Sequence, residues 1–131
     1  MIALLTELAN RMEAQKSGCI AVISSVAGDR GRPSNYLYGA AKGAVTVFCS
    51  GLRARLFKSG VQVLTIKPGF VDTPMTHGLP LPKLRIASAS SARHRACSGK
   101  KARHPVYPLF WRLIMLIIIH IPGRFFKRLA L

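Results

Sequence analysis

Two short apolar runs on either side of one long helical stretch constrain this chain more than any other feature. Cys19-Ile20-Ala21-Val22-Ile23-Ser24-Ser25 and Val61-Gln62-Val63-Leu64-Thr65-Ile66 are partly β-branched and bounded by Gly18 and Gly60, which suits strands. Between them Val45, Phe48, Leu52 and Leu56 recur at helical spacing. Strand, helix, strand predicts a βαβ unit with a right-handed crossover and a parallel sheet. The first run lacks strict alternation, as expected of a strand buried on both faces. Ligands on such sheets sit beyond the carboxyl ends of the strands, and Ser25 and Pro68-Gly69 both stand there.

The flanking segments read consistently with this. Ile2, Leu5, Ala9 and Met12 form one face of an amphipathic helix over residues 2–15, closed by Lys16-Ser17-Gly18. Ala27 to Pro33 is a Gly- and Arg-containing loop, and Ser34 or Asn35 can cap the next helix. That helix is expected to run to about Lys58, with Arg53, Arg55 and Lys58 favourably placed near its C-terminal dipole and Gly60 as its stop.

The chemistry of the loop and helix start is specific. A hydroxyl, Ser25, ends the first strand; a phenol, Tyr38, follows, and then an ammonium, Lys42. In a helix Tyr38 and Lys42 are i,i+4 neighbours on one face. A free phenol is a poor proton donor or acceptor at neutral pH, and a cation one turn away favours its phenolate. Ser25 could hold a substrate oxygen while Tyr38 moves the proton, which suits carbonyl–alcohol interconversion once a hydride donor is present. Ser24 stands one residue too far from Tyr38 for this spacing, and Tyr36 has Ala40 rather than a cation at i+4. Taken alone, a Tyr-x-x-x-Lys pair is common on helices, and Pro68-Gly69 is an ordinary loop after a strand.

Taken together, Ser25, Tyr38-x-x-x-Lys42, the strand before them and Lys67-Pro68-Gly69-Phe70-Val71-Asp72-Thr73-Pro74-Met75 resemble the short-chain dehydrogenase/reductase family. Within it, Gly28-Asp29-Arg30-Gly31-Arg32-Pro33-Ser34-Asn35-Tyr36 and the run from Phe110-Trp111-Arg112 to Leu129 resemble actinobacterial reductases of a decaprenylphosphoryl 2-keto-pentose. The resemblance implies an α/β fold, the C-terminal half of a Rossmann-like doubly wound parallel sheet. It implies Ser25, Tyr38 and Lys42 as catalytic residues, with NADP or NAD as cofactor. Tyr38, Lys42, Pro68, Gly69, Val71 and Thr73 would bind the nicotinamide end. The family's phosphate-binding glycines and Asn-Asn-Ala-Gly segment have no counterpart in this sequence and would precede Met1. Residues 1–82 are then a partial Rossmann domain, and the chain alone is expected to be inactive or nearly so. Implied partners are a small-molecule or lipid-linked carbonyl substrate and a second copy of the chain, in the cytoplasm or at the inner face of a membrane.

Charge divides the chain. Of its net +16, residues 1–82 contribute nine Lys/Arg against four Asp/Glu, whereas residues 83–131 contribute eleven Lys/Arg and no acid. Residues 83–104 have no periodicity and a Ser/Ala/Arg bias, the composition of a low-order segment. A real basic linker and the product of two compensating frameshifts are both open readings, which only the nucleotide sequence separates. Residues 105–131 hold the most apolar run, Leu109 to Ile121, followed by Arg124, Lys127 and Arg128. Thirteen residues fall short of the ~20 that span a bilayer, so an interfacial helix and a core or dimer helix are the two readings. A basic tail without interleaved aromatics argues weakly for nucleic acid. Cys19, Cys49 and Cys97 have no C-x-x-C spacing and read as thiols in a reducing compartment; His77, His94, His104 and His120 lack metal-ligand spacing.

Overall fold

The computed structural model describes residues 1–68 and 109–126. Its elements are α1 (Ile2–Gln15), β1 (Cys19–Ile23), a single 3₁₀ turn (Val26–Gly28), α2 (Tyr36–Leu56), β2 (Gln62–Ile66), α3 (Leu109–His120) and α4 (Gly123–Phe126). Gly69, Val71, Thr73 and the basic segment 83–104 lie outside the described residues.

The expected βαβ unit is present. β1 and β2 pair in parallel with Ile20 opposite Val63 and Val22 opposite Thr65. One face of this pair carries the core: Ile20, Val22, Val61 and Val63 pack with Leu5 and Ala9 of α1 and with Val45, Cys49, Leu52 and Leu56 of α2. Met12 and Phe48 close its margins. The apolar stripes read from the sequence are thus the faces that pack on the sheet, except that Ile2 at the start of α1 is exposed. Burial on both faces of β1 is not observed among the described residues. Ala21 and Ile23 are exposed, because α1 and α2 cover only the side that Ile20 and Val22 face.

Cys49 sits fully inside this core, and burial pushes its thiol pKa up, opposed by a hydrogen bond with Thr65 and by the Arg53 charge. Arg53 does more than complement the helix dipole. Its Nε donates to the Val63 carbonyl at 2.8 Å and an Nη donates to Thr65 Oγ1 at 2.8 Å. Gln62 and Ile66 bond toward β1, so by the alternation of a parallel pair the Val63 carbonyl faces the opposite edge, and Arg53 covers it. Arg55 turns the other way, to Asn10 and Glu13 of α1, and ties the two helices together.

Helix ends depart from the expected caps in two places. α2 begins after Asn35, whose side chain makes no capping bond; Asn35 Oδ1 is buried with no partner among the described residues. At the end of α1 the left-handed position falls on Lys16 (φ 53°), two residues before the glycine. Its N–H donates to the Glu13 carbonyl at 3.2 Å and that of Ser17 to Met12 at 3.4 Å, closing the helix with a lysine where glycine is favoured. Gly18 is needed for a different reason: at φ 135° it turns the chain into β1 beneath the Met12 sulfur. Replacing Lys16 with glycine removes the left-handed strain of a β-carbon. Lys16→Gly should raise unfolding free energy by about 1 kcal/mol, seen as a higher urea midpoint at unchanged m-value.

Candidate active site

The site is built where β1 ends. Its ladder to β2 continues past the strands, with the Ser24 N–H donating to the Ile66 carbonyl at 2.8 Å and that of Val26 to Pro68 at 3.4 Å. This continuation holds Ser25 and Pro68 side by side at the carboxyl edge. Ser25 is extended (φ −157°, ψ 153°), and its Oγ accepts the Ala27 N–H at 3.2 Å, capping the 3₁₀ turn. Because that bond uses an oxygen lone pair, the hydroxyl proton is left to donate outward.

The two serines have different fates. Ser24 is 2% exposed. Its Oγ lies 3.0 Å from the Lys42 carbonyl and 2.8 Å from Thr46 Oγ1, itself 2.9 Å from the same carbonyl. Ser24 therefore fastens β1 to α2, while Ser25 remains half-buried at the surface.

Glycines let the turn and helix meet. A β-carbon at Gly28 would lie 2.6 Å from the Gly43 nitrogen, and one at Gly39 would lie 2.9 Å from the Ala27 carbonyl oxygen. Both contacts are with backbone, which cannot swing aside. Gly39 and Gly43 are i,i+4 on α2, so the face they share is a flat track for the Ala27-Gly28 turn. Tyr38 and Lys42 each precede one of these glycines, so the close approach brings both beside the turn that carries Ser25.

Tyr38 is 48% exposed on the first turns of α2. Lys42 Nζ lies 5.6 Å from the centroid of its ring and donates to the Ile23 carbonyl at 3.2 Å. That carbonyl belongs to the edge of β1 facing away from β2, so Lys42 is anchored on the strand end while its ammonium stays beside the phenol. One of three N–H donors is used in this bond. Ser25 and Pro68 thus stand at one sheet edge, Lys42 is anchored there on Ile23, and Tyr38 lies beside Lys42.

Sequence reasoning passed over two further pieces. Asp29 and Lys67, 38 residues apart, form an ion pair with side chains only 10% and 5% exposed. It clasps the loop after β1 to the end of β2 immediately before Pro68. Lys67 belongs to the motif read for its Pro-Gly turn, and no local spacing links it to Asp29. Arg30 is the second: its guanidinium donates to the carbonyls of Ile118 and, at 2.9 Å, Ile119, and lies 3.9 Å above the Phe126 ring. Beside it Met115 of α3 is buried against Val26, flanked by Ile114 and Ile118. The C-terminal helices are therefore docked on the same loop that follows Ser25.

Comparison with known proteins agrees with this architecture. The family model described as short chain dehydrogenase matches residues 1–83. An uncharacterized oxidoreductase of Mycobacterium tuberculosis (strain CDC 1551 / Oshkosh) is 37% identical over 97% of this chain and 51% of its own length. A 3-oxoacyl-[acyl-carrier-protein] reductase of Chlamydia muridarum is 42% identical over 49% of this chain and 26% of its own. The solved structure of ElxO with NADP bound superposes on 54% of this chain and 29% of its own, at 28% identity and a TM-score of 0.51. The chain spans about half the length, or less, of the curated relatives it matches.

The clasp is open to measurement. Asp29→Ala removes one carboxylate from a buried ion pair and should lower unfolding free energy by about 3–5 kcal/mol in urea titration. Glu7→Ala, which breaks the exposed Glu7–Arg11 pair, should cost only about 0.3–0.5 kcal/mol.

Proposed function

Because the chain belongs to the short-chain dehydrogenase family, we propose that it carries the proton-handling part of an NAD(P)-dependent oxidoreductase that interconverts a carbonyl and a secondary alcohol. The observation behind this reading is the grouping of Ser25, Tyr38 and Lys42 at the carboxyl edge of β1, with a serine proton and lysine N–H donors left for a ligand.

The residues fit the nicotinamide end of the cofactor. Lys42 presents donors suited to ribose hydroxyls beside Tyr38, and Pro68 opens the segment that, with Gly69, Val71 and Thr73, would line the nicotinamide. Bound there, a nicotinamide cofactor supplies or takes up the hydride. The chain's own groups handle the oxygen. Ser25 Oγ donates a hydrogen bond to the substrate carbonyl and fixes its direction. Tyr38 Oη gives its proton to that oxygen during reduction and takes it back during oxidation. Lys42 stabilises the phenolate left behind, and the half-exposed ring lets water return the proton. A solved relative holds NADP, which supports a nicotinamide cofactor without deciding between NADP and NAD.

The sequence holds no Gly-rich loop for the cofactor phosphates, so this chain by itself should bind cofactor weakly and turn over slowly or not at all. The resemblance in residues 28–36 and 110–129 makes a keto-sugar on a lipid carrier the substrate we favour, and a homo-oligomer the assembly.

Two measurements test this. Titration of the chain with NADH and NADPH should show no saturation in the micromolar range. A chimera in which this chain replaces the matching half of the mycobacterial oxidoreductase should bind NADPH and reduce a ketone from a panel that includes keto-sugars. In it, Tyr38→Phe should lower kcat at least about 100-fold with cofactor affinity retained. A chimera that binds NADPH and turns over equally with Phe at position 38 would overturn the reading.

A further inference from the structure

α3 is apolar from Leu113 to Ile119, yet only one side of that run is used among the described residues. Met115 is buried and Ile114 and Ile118 are partly buried against Val26, while Arg30 grips the end of the helix and the Phe126 ring. These contacts fix which side turns outward. Leu113, Leu116 and Ile117 fall at i, i+3 and i+4 on that side, and with Phe125 of α4 they are each 59–64% exposed. Helices whose apolar stripe faces water mark a surface that is covered in use.

From this geometry we infer that the outward face of α3 and Phe125 is a docking surface for an anionic lipid bilayer, occupied by the helix lying flat in the interface. Length excludes spanning: α3 has 12 residues, and among the described residues no helix is long and apolar enough to cross a membrane. Charge selects the partner. Residues 83–131 carry eleven Lys/Arg and no Asp/Glu, and Arg124 of α4 is exposed beside Phe125 in the sequence. An exposed apolar side in a sequence segment rich in cations and free of acids is the composition of an interfacial helix that meets acidic headgroups. A second copy fits this face less well, since the sequence segment that carries it has eleven Lys/Arg and no acid and would meet its like, which leaves other faces open to a partner copy. Nucleic acid fits less well too, because three of the four outward side chains, Leu113, Leu116 and Ile117, are aliphatic and stack on no base. This inference does not depend on the catalytic reading, because its readout is binding to lipid.

The test is flotation of the purified chain with vesicles of phosphatidylcholine alone or mixed two to one with phosphatidylglycerol. The chain should partition onto the anionic vesicles at least about tenfold more strongly, and salt should weaken this. Leu116→Ser with Ile117→Ser removes outward apolar surface without touching Met115 or Arg30, and should reduce partitioning at least about tenfold. Val47→Ser, an exposed valine on α2, is the matched control and should change nothing. Circular dichroism checks that both variants keep their helices. Equal binding by the double variant would overturn the proposal, because the basic segment alone would then account for adhesion. Indifference to lipid charge would overturn it as well. So would a sedimenting dimer that the double variant dissolves, since the face would then belong to a second copy.

Discussion

Everything at this sheet edge depends on backbone meeting backbone where the Ala27-Gly28 turn lies against Gly39 and Gly43 of α2. A β-carbon at Gly28 would intrude within 2.6 Å of the helix, so a larger residue there must lift the turn or shift the helix. Either movement would carry Ser25 away from Tyr38 and Lys42, because Ser25 caps that turn and the other two flank the glycines. Three side chains from two elements are brought together by positions that have no side chain at all. The Ser24–Thr46–Lys42 hydrogen bonds then lock the same approach from the other side of the strand end.

Cations distribute the rest of the work along α2. Lys42 reaches the outer carbonyl of β1 at Ile23, and Arg53 reaches the outer carbonyl of β2 at Val63. One helix thus contacts both edges of the two-stranded sheet, near its two ends. Burial limits what such groups do: each is satisfied by a carbonyl or hydroxyl acceptor instead of standing alone in the interior. The Lys67–Asp29 pair differs, since both partners are almost fully enclosed and each is costly without the other.

Local pattern and long-range pairing were not equally legible in the sequence. Periodicity identified both long helices and both strands to within about two residues, since burial of Leu5, Ala9, Val45, Leu52 and Leu56 leaves a repeating trace. The placing of Ser25 at the end of β1 and of Tyr38 with Lys42 one turn apart on α2 was legible, because it follows from local element positions. Gly39 and Gly43 were not read as a contact surface, since glycine inside a helix registers as weakened propensity unless its neighbour is known. Asp29 with Lys67, and Arg30 with Ile118, Ile119 and Phe126, join residues far apart in the chain, and composition places such charges on solvated loops. Lys16 shows the same limit on a smaller scale: the glycine at 18 marks the helix end, but hydrogen bonding to Met12 and Glu13 puts the left-handed residue at 16.

Arg30 connects the two proposals physically. It stands in the loop that follows Ser25 and holds α3 by its terminal carbonyls, so the orientation of the helix and the position of the site turn are set together. Were α3 hinged loosely, contact of its outward face with a bilayer would say nothing about where the site lies. Gripped at Ile118, Ile119 and Phe126, and seated on Val26 through Met115, the helix instead carries the β1 turn with it. Whatever α3 docks on, the turn that follows Ser25 is therefore held at a fixed place relative to it.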